Sequence, residues 1–277
     1  MKYLITTIAA VLLVGCGKQD KVDNNFNRFD NLNLTEADEN LINFISTNNI
    51  QAPPLVSDID KSLLEAVEKN NIQKVRMLLN KGANINTELG SVTPLLAASS
   101  LEMVKLLVAN GANIDAVEIN GFTALNRAVV RMNVDIVKYL ISIGADTSIK
   151  DLASETLLHH AAKGFPDKNG RRKRVSRNVN WIGSKEIVNI LLANEADIYA
   201  ENKVGFIPLN LAAQHGLNEI VELLIAKGTD VNYRIKSGPF KGRTPLYFVD
   251  EEVYKETADL LRKHGGKTGE ELKAEGK

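Results

Sequence analysis

A short block of residues recurs along this chain and limits its fold more than any other feature. The block first spans Gly82 to Asn86, as Gly-Ala-Asn-Ile-Asn, and related blocks begin at Gly111, Gly144, Glu195 and Gly228. The steps from Gly111 to Gly144 and from Glu195 to Gly228 are both 33 residues. Self-similarity at such a period indicates stacked supersecondary units. The sequence therefore predicts a solenoid, a class of fold that binds other molecules far more often than it catalyses reactions.

A second signature stands before each helical pattern and stays in phase with the first. It is a Thr-Pro-Leu-like triplet, and it begins at Thr93, Thr123, Thr156, Ile207 and Thr244. A threonine hydroxyl can accept a hydrogen bond from a free amide at a helix start, and proline is tolerated at the first helical position. Apolar residues then recur three and four positions apart in a second helix, as in Ile136-Val137-Leu140-Ile141. Each unit is therefore predicted to be a pair of helices.

Together these motifs resemble the ankyrin repeat, whose pattern is T-P-L-H-x-A, then a helix rich in V-x-x-L-L, then G-A-D/N. The resemblance covers roughly residues 58 to 265 and implies an all-α ankyrin-repeat solenoid of about six repeats. An ordinary helical bundle is the alternative, but it does not account for five copies in phase. In the family, histidine at the T-P-L-H position makes a structural hydrogen bond to the neighbouring loop, which implies that role for His159.

The first residues have the pattern of an export signal. A charged start is followed by an apolar run from Leu4 to Gly15 and then by Cys16, the sole cysteine in the chain. Twelve residues make a helix of about 18 Å, too short for a hydrocarbon core of about 30 Å. The sequence Leu13-Val14-Gly15-Cys16 resembles a bacterial lipobox, which implies lipidation of Cys16, and a plain secretory signal is the alternative. With Gly17 next, the resemblance implies an envelope protein anchored in the outer membrane and facing the periplasm.

The predicted organisation has four parts. Residues 1–15 are a lipoprotein signal peptide, and residues 16–57 are a lipidated N-terminus with an Asn/Asp-rich tether and a short capping helix. Residues 58–266 are the ankyrin-repeat domain, and residues 267–277 are a charged tail.

Two repeats depart from the regular length. The second spans 29 residues from Gly82 to Gly111, whereas the fourth carries 18 extra residues, an insertion at about 165–184. The insertion is basic and could meet an acidic protein partner, contact lipid phosphates, or simply be a solvated loop. The residues that would contact an acidic partner are Arg171, Arg172, Lys173, Arg174 and Trp181.

No catalytic constellation is recognisable, and we expect a protein that is not an enzyme and that needs no cofactor. The chain lacks a phosphate-binding glycine loop, H-E-x-x-H, C-x-x-C and G-x-S-x-G. No spacing supplies His160 or His215 with a metal partner, so we expect structural or surface roles for the histidines and no metal site. Lysine and arginine total 34 against 34 acidic residues, which argues against a nucleic-acid partner.

Binding of a protein partner by a monomer is the function that the sequence favours. The resemblance implies a concave groove lined by the loops before the first helices, where Phe122 and Phe206 are the candidate apolar anchors. Each ring could instead pack on the neighbouring loop within the solenoid. The other predicted groove residues, which would supply polar specificity, are Asn120, Arg131, Lys203 and Arg243.

The hypothesis is therefore a non-enzymatic protein–protein interaction module, tethered to the bacterial envelope through its lipid anchor. One alternative is a periplasmic immunity or inhibitor protein that acts against a secreted toxin. Another is a non-catalytic accessory subunit of an envelope stress-protection enzyme, and a third is a structural envelope protein without a defined ligand.

Overall fold

A computed structural model of the chain describes residues 57–164 and 181–276, with the side chains of 181–183 excepted. The chain divides into two compact units, residues 1–56 and 57–277, and all described residues belong to the second. The predicted signal peptide, Cys16, the tether and the capping helix therefore lie outside the described residues. So do Arg171, Arg172, Lys173 and Arg174 of the insertion.

Helices in antiparallel pairs build the described part of the chain. From the second pair on, the first helix is short, because a Thr-Pro-Leu-like triplet starts it and a turn ends it within about two turns. The pairs are α1 (Asp58–Glu68) with α2 (Ile72–Asn80), α3 (Pro94–Ala97) with α4 (Leu101–Ala109), α5 (Ala124–Val130) with α6 (Val134–Ser142), α7 (Leu157–Lys163) with α8 (Trp181–Ala193), and α9 (Pro208–Gln214) with α10 (Asn218–Ala226). A sixth unit pairs the 3₁₀ helix η1 (Pro245–Phe248) with α11 (Lys255–Lys263), and α12 (Gly269–Ala274) follows.

These elements confirm the predicted all-helical solenoid. Within residues 57–164 and 181–276, extended pairing is limited to an isolated bridge between Leu89 and Val92. No helix in that part of the chain is long and apolar enough to cross a membrane.

The helix starts follow the predicted capping chemistry. The hydroxyl of Thr123 accepts a hydrogen bond from the amide of Asn126, and the side chain of Asn126 accepts one from the amide of Thr123. Thr156 and His159 form the same pair of bonds at the start of α7, whereas Thr93 caps α3 through its hydroxyl alone. Ile207 has no hydroxyl to offer at this position, yet its amide still donates to the side chain of Asn210 at 2.9 Å.

A single apolar core runs through all six units, from Leu63 in α1 to Leu261 in α11. The alanine pairs of α7 and α9 are completely buried, because small side chains allow these neighbouring first helices to approach closely. The continuous core explains why the repeats cannot be stable alone and must stack.

The recurring block holds consecutive repeats in register. Asn86 donates through its amide to the carbonyl of Gly111 at 3.2 Å and accepts from the amide of Asn113 at 2.8 Å. The equivalent Asn232 forms the same pair of bonds with Gly265 and Lys267, at 2.9 and 2.8 Å. One side chain thus satisfies both a free carbonyl and a free amide of the next turn.

The turn after each second helix requires a left-handed residue. Gly82, Gly111, Gly144 and Gly228 take φ values of 88°, 89°, 88° and 95° there. Glu195 occupies the equivalent position in the fourth repeat with φ 62°. This conformation has a higher free energy for a residue with a Cβ atom than for glycine.

The charged tail is helical in its first part. Thr268 and Glu271 form a capping box at the start of α12, and Leu272 is buried. Ion pairs join Glu270 to Arg243 and Glu271 to Arg262. The tail therefore covers the last unit, as a terminal solenoid repeat requires.

Candidate functional site

A hairpin-like turn, which we name a finger, precedes the first helix of each of repeats two to six. In the finger before α5, the amide of Glu118 donates to the carbonyl of Phe122 at 2.9 Å, and the amide of Gly121 donates to the carbonyl of Glu118 at 2.8 Å. The fingers before α7 and α9 repeat these bonds at residues 151–155 and 202–206. The shared bonding pattern fixes the same residue positions at the tip of each of these three fingers.

Backbone hydrogen bonds also join neighbouring fingers at their tips. The amide of Leu152 donates to the carbonyl of Asn120 at 3.1 Å, and the amide of Lys203 donates to the carbonyl of Ala153 at 2.9 Å. The fingers of the third, fourth and fifth repeats are therefore tied side by side, which limits their independent motion.

Exposed aliphatic side chains occupy these tips. Ile119 is 74 % exposed and Leu152 is 62 % exposed, although both are large apolar residues. Each fills the same position of its finger, four residues before the threonine that precedes the first helix. With the neighbouring fingers they form what we name the finger-tip row: Leu89, Ile119, Leu152 and Val204.

The structure corrects the expectation that Phe206 is an exposed anchor. Its side chain is 5 % exposed, and it packs with Leu211 and Ile235 in a small second core. The rings of Phe248 and Phe240 lie 4.5 and 5.3 Å from it, centroid to centroid. The loop 235–242 brings Phe240 over Phe206 and η1 brings Phe248 there, so this side chain packs within the solenoid.

Phe122 is half-buried rather than freely exposed. Its ring stands edge-on to the imidazole of His160 in the next repeat, with 4.9 Å between the centroids. Part of its surface is therefore already covered by the solenoid, and it is a weaker anchor candidate than Ile119 or Leu152.

Two of the three predicted groove cations are engaged in contacts within the chain. A guanidinium nitrogen of Arg131 donates to the carbonyl of Ala98 at 3.1 Å, and burial lowers the pKa of this arginine. Arg243 lies over the ring of Tyr247, 4.0 Å from its centroid, and pairs with Glu270. These two side chains stabilise the fold and are poorly placed to supply specificity.

Arg131 also explains how the shortened second repeat is accommodated. Helix α3 ends after one turn at Ala97, and its last carbonyls have few helical partners. The guanidinium of Arg131 reaches across from the third repeat to one of these groups, the carbonyl of Ala98.

The remaining predicted groove residues are solvent-exposed at the finger tips. Asn120 and Lys203 both lie beside members of the finger-tip row. Trp181 begins α8, and its side chain lies outside the described residues.

A buried cluster of charged side chains lies behind the fourth finger. His160 Nε2 is 3.1 Å from Asp151 Oδ2, and His160 Nδ1 is 3.7 Å from Glu155 Oε2. All three side chains are less than 10 % exposed, and Lys163 pairs with Glu155. Burial lowers the pKa of His160, although both carboxylates act in the opposite direction.

Sequence reasoning missed this cluster because its members share no recognisable spacing. Asp151 and Glu155 come from a finger, whereas His160 comes from the helix that follows. One signal was present: Glu155 is acidic at the finger position where the neighbouring repeats carry Phe122 and Phe206, side chains that pack inward.

The motifs in phase, the paired helices and the fingers all point to one repeat family. A family model described as ankyrin repeats, in three copies, matches residues 63–151 and 178–270. The chain belongs to the ankyrin-repeat family. The hydrogen bond predicted for the T-P-L-H histidine is also present, since His159 Nε2 lies 2.8 Å from the carbonyl of Phe206.

Three known relatives illustrate how widely the repeat is used. This ankyrin-repeat chain is 33 % identical over 216 residues to ankyrin repeat protein FPV031 of fowlpox virus, covering 74 % of this chain and 58 % of that protein. It is 25 % identical over 228 residues to human SH3 and multiple ankyrin repeat domains protein 2, covering 74 % and 12 %. It is 45 % identical over 75 residues to glycerophosphocholine phosphodiesterase gde1 of Schizosaccharomyces pombe, covering 25 % and 7 %.

The chain thus spans less than two thirds of the length of each of these relatives. The phosphodiesterase shares 75 residues with it, so the resemblance concerns repeats and not the activity in that protein's name. Ankyrin repeats in general act as protein–protein interaction modules, and this coarse function extends to the present chain.

Proposed function

We propose that this ankyrin-repeat chain binds a protein partner across its finger-tip row. The observation that carries the proposal is the exposure of Ile119 and Leu152, 74 % and 62 %, at equivalent positions of two fingers bonded to each other. Apolar side chains exposed in a row are typical of surfaces that a partner covers.

The hydrogen bonds between neighbouring fingers also favour tight binding. Bonds from Leu152 to Asn120 and from Lys203 to Ala153 hold the fingers in place before a partner arrives. A preorganised surface loses little conformational entropy when it binds, so more of the apolar contact energy is kept as affinity. Asn120 and Lys203 supply the polar edge that limits which partners fit.

The experiment is affinity capture of partners by wild type, an Ile119→Ser/Leu152→Ser double variant and a Met77→Ser control. Met77 is 46 % exposed on α2 and lies outside the finger-tip row, so its replacement removes a comparable apolar surface elsewhere. Loss of two central apolar contacts of about 1.4 kcal/mol each weakens binding roughly a hundredfold.

The expected result is a partner that wild type and Met77→Ser retain and the double variant loses. Equal retention by all three proteins would contradict the finger-tip row as the binding surface. Far-UV circular dichroism of each variant confirms that the solenoid is intact.

We also propose that the mature protein is anchored in the bacterial outer membrane, facing the periplasm, by lipid on Cys16. The support is the sequence Leu13-Val14-Gly15-Cys16 after a charged start and a short apolar run. Two or more acyl chains give stable membrane attachment. Metabolic labelling with a fatty acid analogue, with fractionation, tests this: Cys16→Ser is expected to lose the label and leave the membrane fraction. An unlabelled, soluble wild type would contradict the anchor.

A further inference from the structure

The buried cluster behind the fourth finger has the donor set of a metal site. Asp151, Glu155 and His160 each place a ligand atom within 4.8 Å of the other two. The separation of His160 Nε2 from Asp151 Oδ2 is 3.1 Å. Two donors that share a metal at about 2.1 Å lie roughly 3.0 to 3.4 Å apart, so this pair is already close to the spacing of a bound ion.

The imidazole supplies an independent observation. His160 is 7 % exposed, and its Nε2 atom has no hydrogen-bond partner, because the nearby carboxylate is close in distance but lies outside hydrogen-bond geometry. A buried polar atom without a partner is costly and needs an explanation. Here the unpartnered nitrogen faces the carboxylate of Asp151, whereas Glu155 Oε2 lies 3.7 Å from the other ring nitrogen, Nδ1.

The two carboxylates are held so that each keeps one oxygen for the cluster. Asp151 Oδ1 accepts from the amides of Ala153 and Glu155, both at 2.8 Å, which leaves Oδ2 facing His160. Glu155 Oε1 accepts from the side chain of Asn202 at 3.3 Å, which leaves Oε2 facing the imidazole. Outer hydrogen bonds that orient ligands in this way are typical of metal sites.

We propose that Asp151, Glu155 and His160 bind a divalent transition-metal cation of the Zn²⁺ class. The ligands are His160 Nε2, Asp151 Oδ2 and Glu155 Oε2. One imidazole with two carboxylates suits Zn²⁺ better than Mg²⁺ or Ca²⁺, which prefer oxygen donors alone. A fourth position is left for water or for a partner's side chain.

Lys163 is the cation that the metal displaces. Its ammonium pairs with Glu155 Oε2, the atom assigned to the metal, and its side chain is 21 % exposed at the end of α7. The lysine can therefore swing into solvent when a divalent ion takes its place. Because the lysine and the metal compete for the same oxygen, removal of the lysine is expected to tighten metal binding.

The test is titration of the full chain with Zn²⁺ by isothermal calorimetry at neutral pH. Lys163→Met is expected to bind Zn²⁺ at least about tenfold more tightly than wild type, and Asp151→Asn at least about tenfold more weakly. His264→Gln removes an exposed histidine outside the cluster and is expected to match wild type. Because Lys163→Met is expected to gain affinity, loss of the folded site cannot produce this result.

A second readout locates the ion. In long-range proton–nitrogen spectra, the Nε2 signal of His160 is expected to move on addition of Zn²⁺, while the signals of His264 stay in place. Unchanged or weaker Zn²⁺ binding by Lys163→Met, or an unmoved His160 Nε2 signal at saturating Zn²⁺, would overturn the site.

Discussion

The imidazole Nε2 of His159 donates a hydrogen bond of 2.8 Å to the carbonyl of Phe206, 47 residues further along the chain. On the other side of the ring, Nδ1 accepts from the backbone amide of Thr156 at 3.1 Å. A nitrogen that accepts from a backbone N–H carries no proton, so the contacts define the neutral Nε2–H form. Protonation would remove the acceptor that Nδ1 offers to the amide of Thr156, so the folded arrangement favours the uncharged ring.

A pH dependence of stability follows from this arrangement. Burial lowers the pKa of His159 below its ordinary value, so the unfolded chain takes up the proton more readily than the folded one. The contribution of neutral His159 to the free energy of unfolding is fully present above about pH 6.5, the pKa of histidine in the unfolded chain. It is lost as the pH falls below that value. Urea unfolding at a series of pH values is expected to show the free energy of unfolding falling through this range.

The matched control for that series is His159→Asn, which places at this site the residue that repeats three and five carry as Asn126 and Asn210. The variant is expected to show a smaller pH slope than wild type. Identical slopes for the two proteins would show that His159 does not contribute to the pH dependence.

Comparison of His159 with Asn126, its equivalent in the third repeat, predicts a stabilising substitution. Asn126 is buried, and its Nδ2 atom has no hydrogen-bond partner. The carbonyl of Glu155 in the next finger is the equivalent of the carbonyl of Phe206. Each of these carbonyls accepts a hydrogen bond from the first residue of its own finger, Asp151 or Asn202. Asn126→His is expected to reach the carbonyl of Glu155 and raise the free energy of unfolding by about 1 kcal/mol.

Thermal and urea unfolding measure this gain. Asn210→His is the comparison variant, because Ile207 lacks the hydroxyl that Thr123 and Thr156 offer, and its gain is expected to be smaller. A loss of stability in Asn126→His would show that the third repeat has no room for the ring.

Arg131 is predicted to matter for stability because it compensates for the short second repeat. Arg131→Met keeps much of the apolar stem but leaves the carbonyl of Ala98 without the guanidinium, at a cost of about 1–3 kcal/mol. Arg76→Met, at an exposed position of α2, is expected to change stability by less than about 0.5 kcal/mol. Equal unfolding midpoints for the two variants would rule out this role.

The fold was predictable from the sequence because its signals are local and repeat in phase. Threonine caps, proline at helix starts and left-handed glycines each act within a few residues, and each recurs in several units. The bond of His159 was predictable for the same reason, since it belongs to the motif.

The site was less predictable because burial at a finger depends on distant residues. Phe206 is covered by Phe240, from the loop before the sixth unit, and by Phe248, the last residue of η1. Exposed aliphatic residues in the turns, Leu89, Ile119 and Leu152, were visible in the sequence. The importance of Ile119 and Leu152 emerged once the bond between their fingers placed them side by side.

Site-specific photocrosslinking shows whether a partner protein binds at the finger tips. A photoreactive benzoylphenylalanine replaces Leu152 at a finger tip in one protein and replaces Glu222, exposed on α10, in another. We expect position 152 to crosslink to a discrete partner protein and position 222 not to do so. Crosslinking to the same partner from position 222 but not from position 152 would contradict binding at the finger tips.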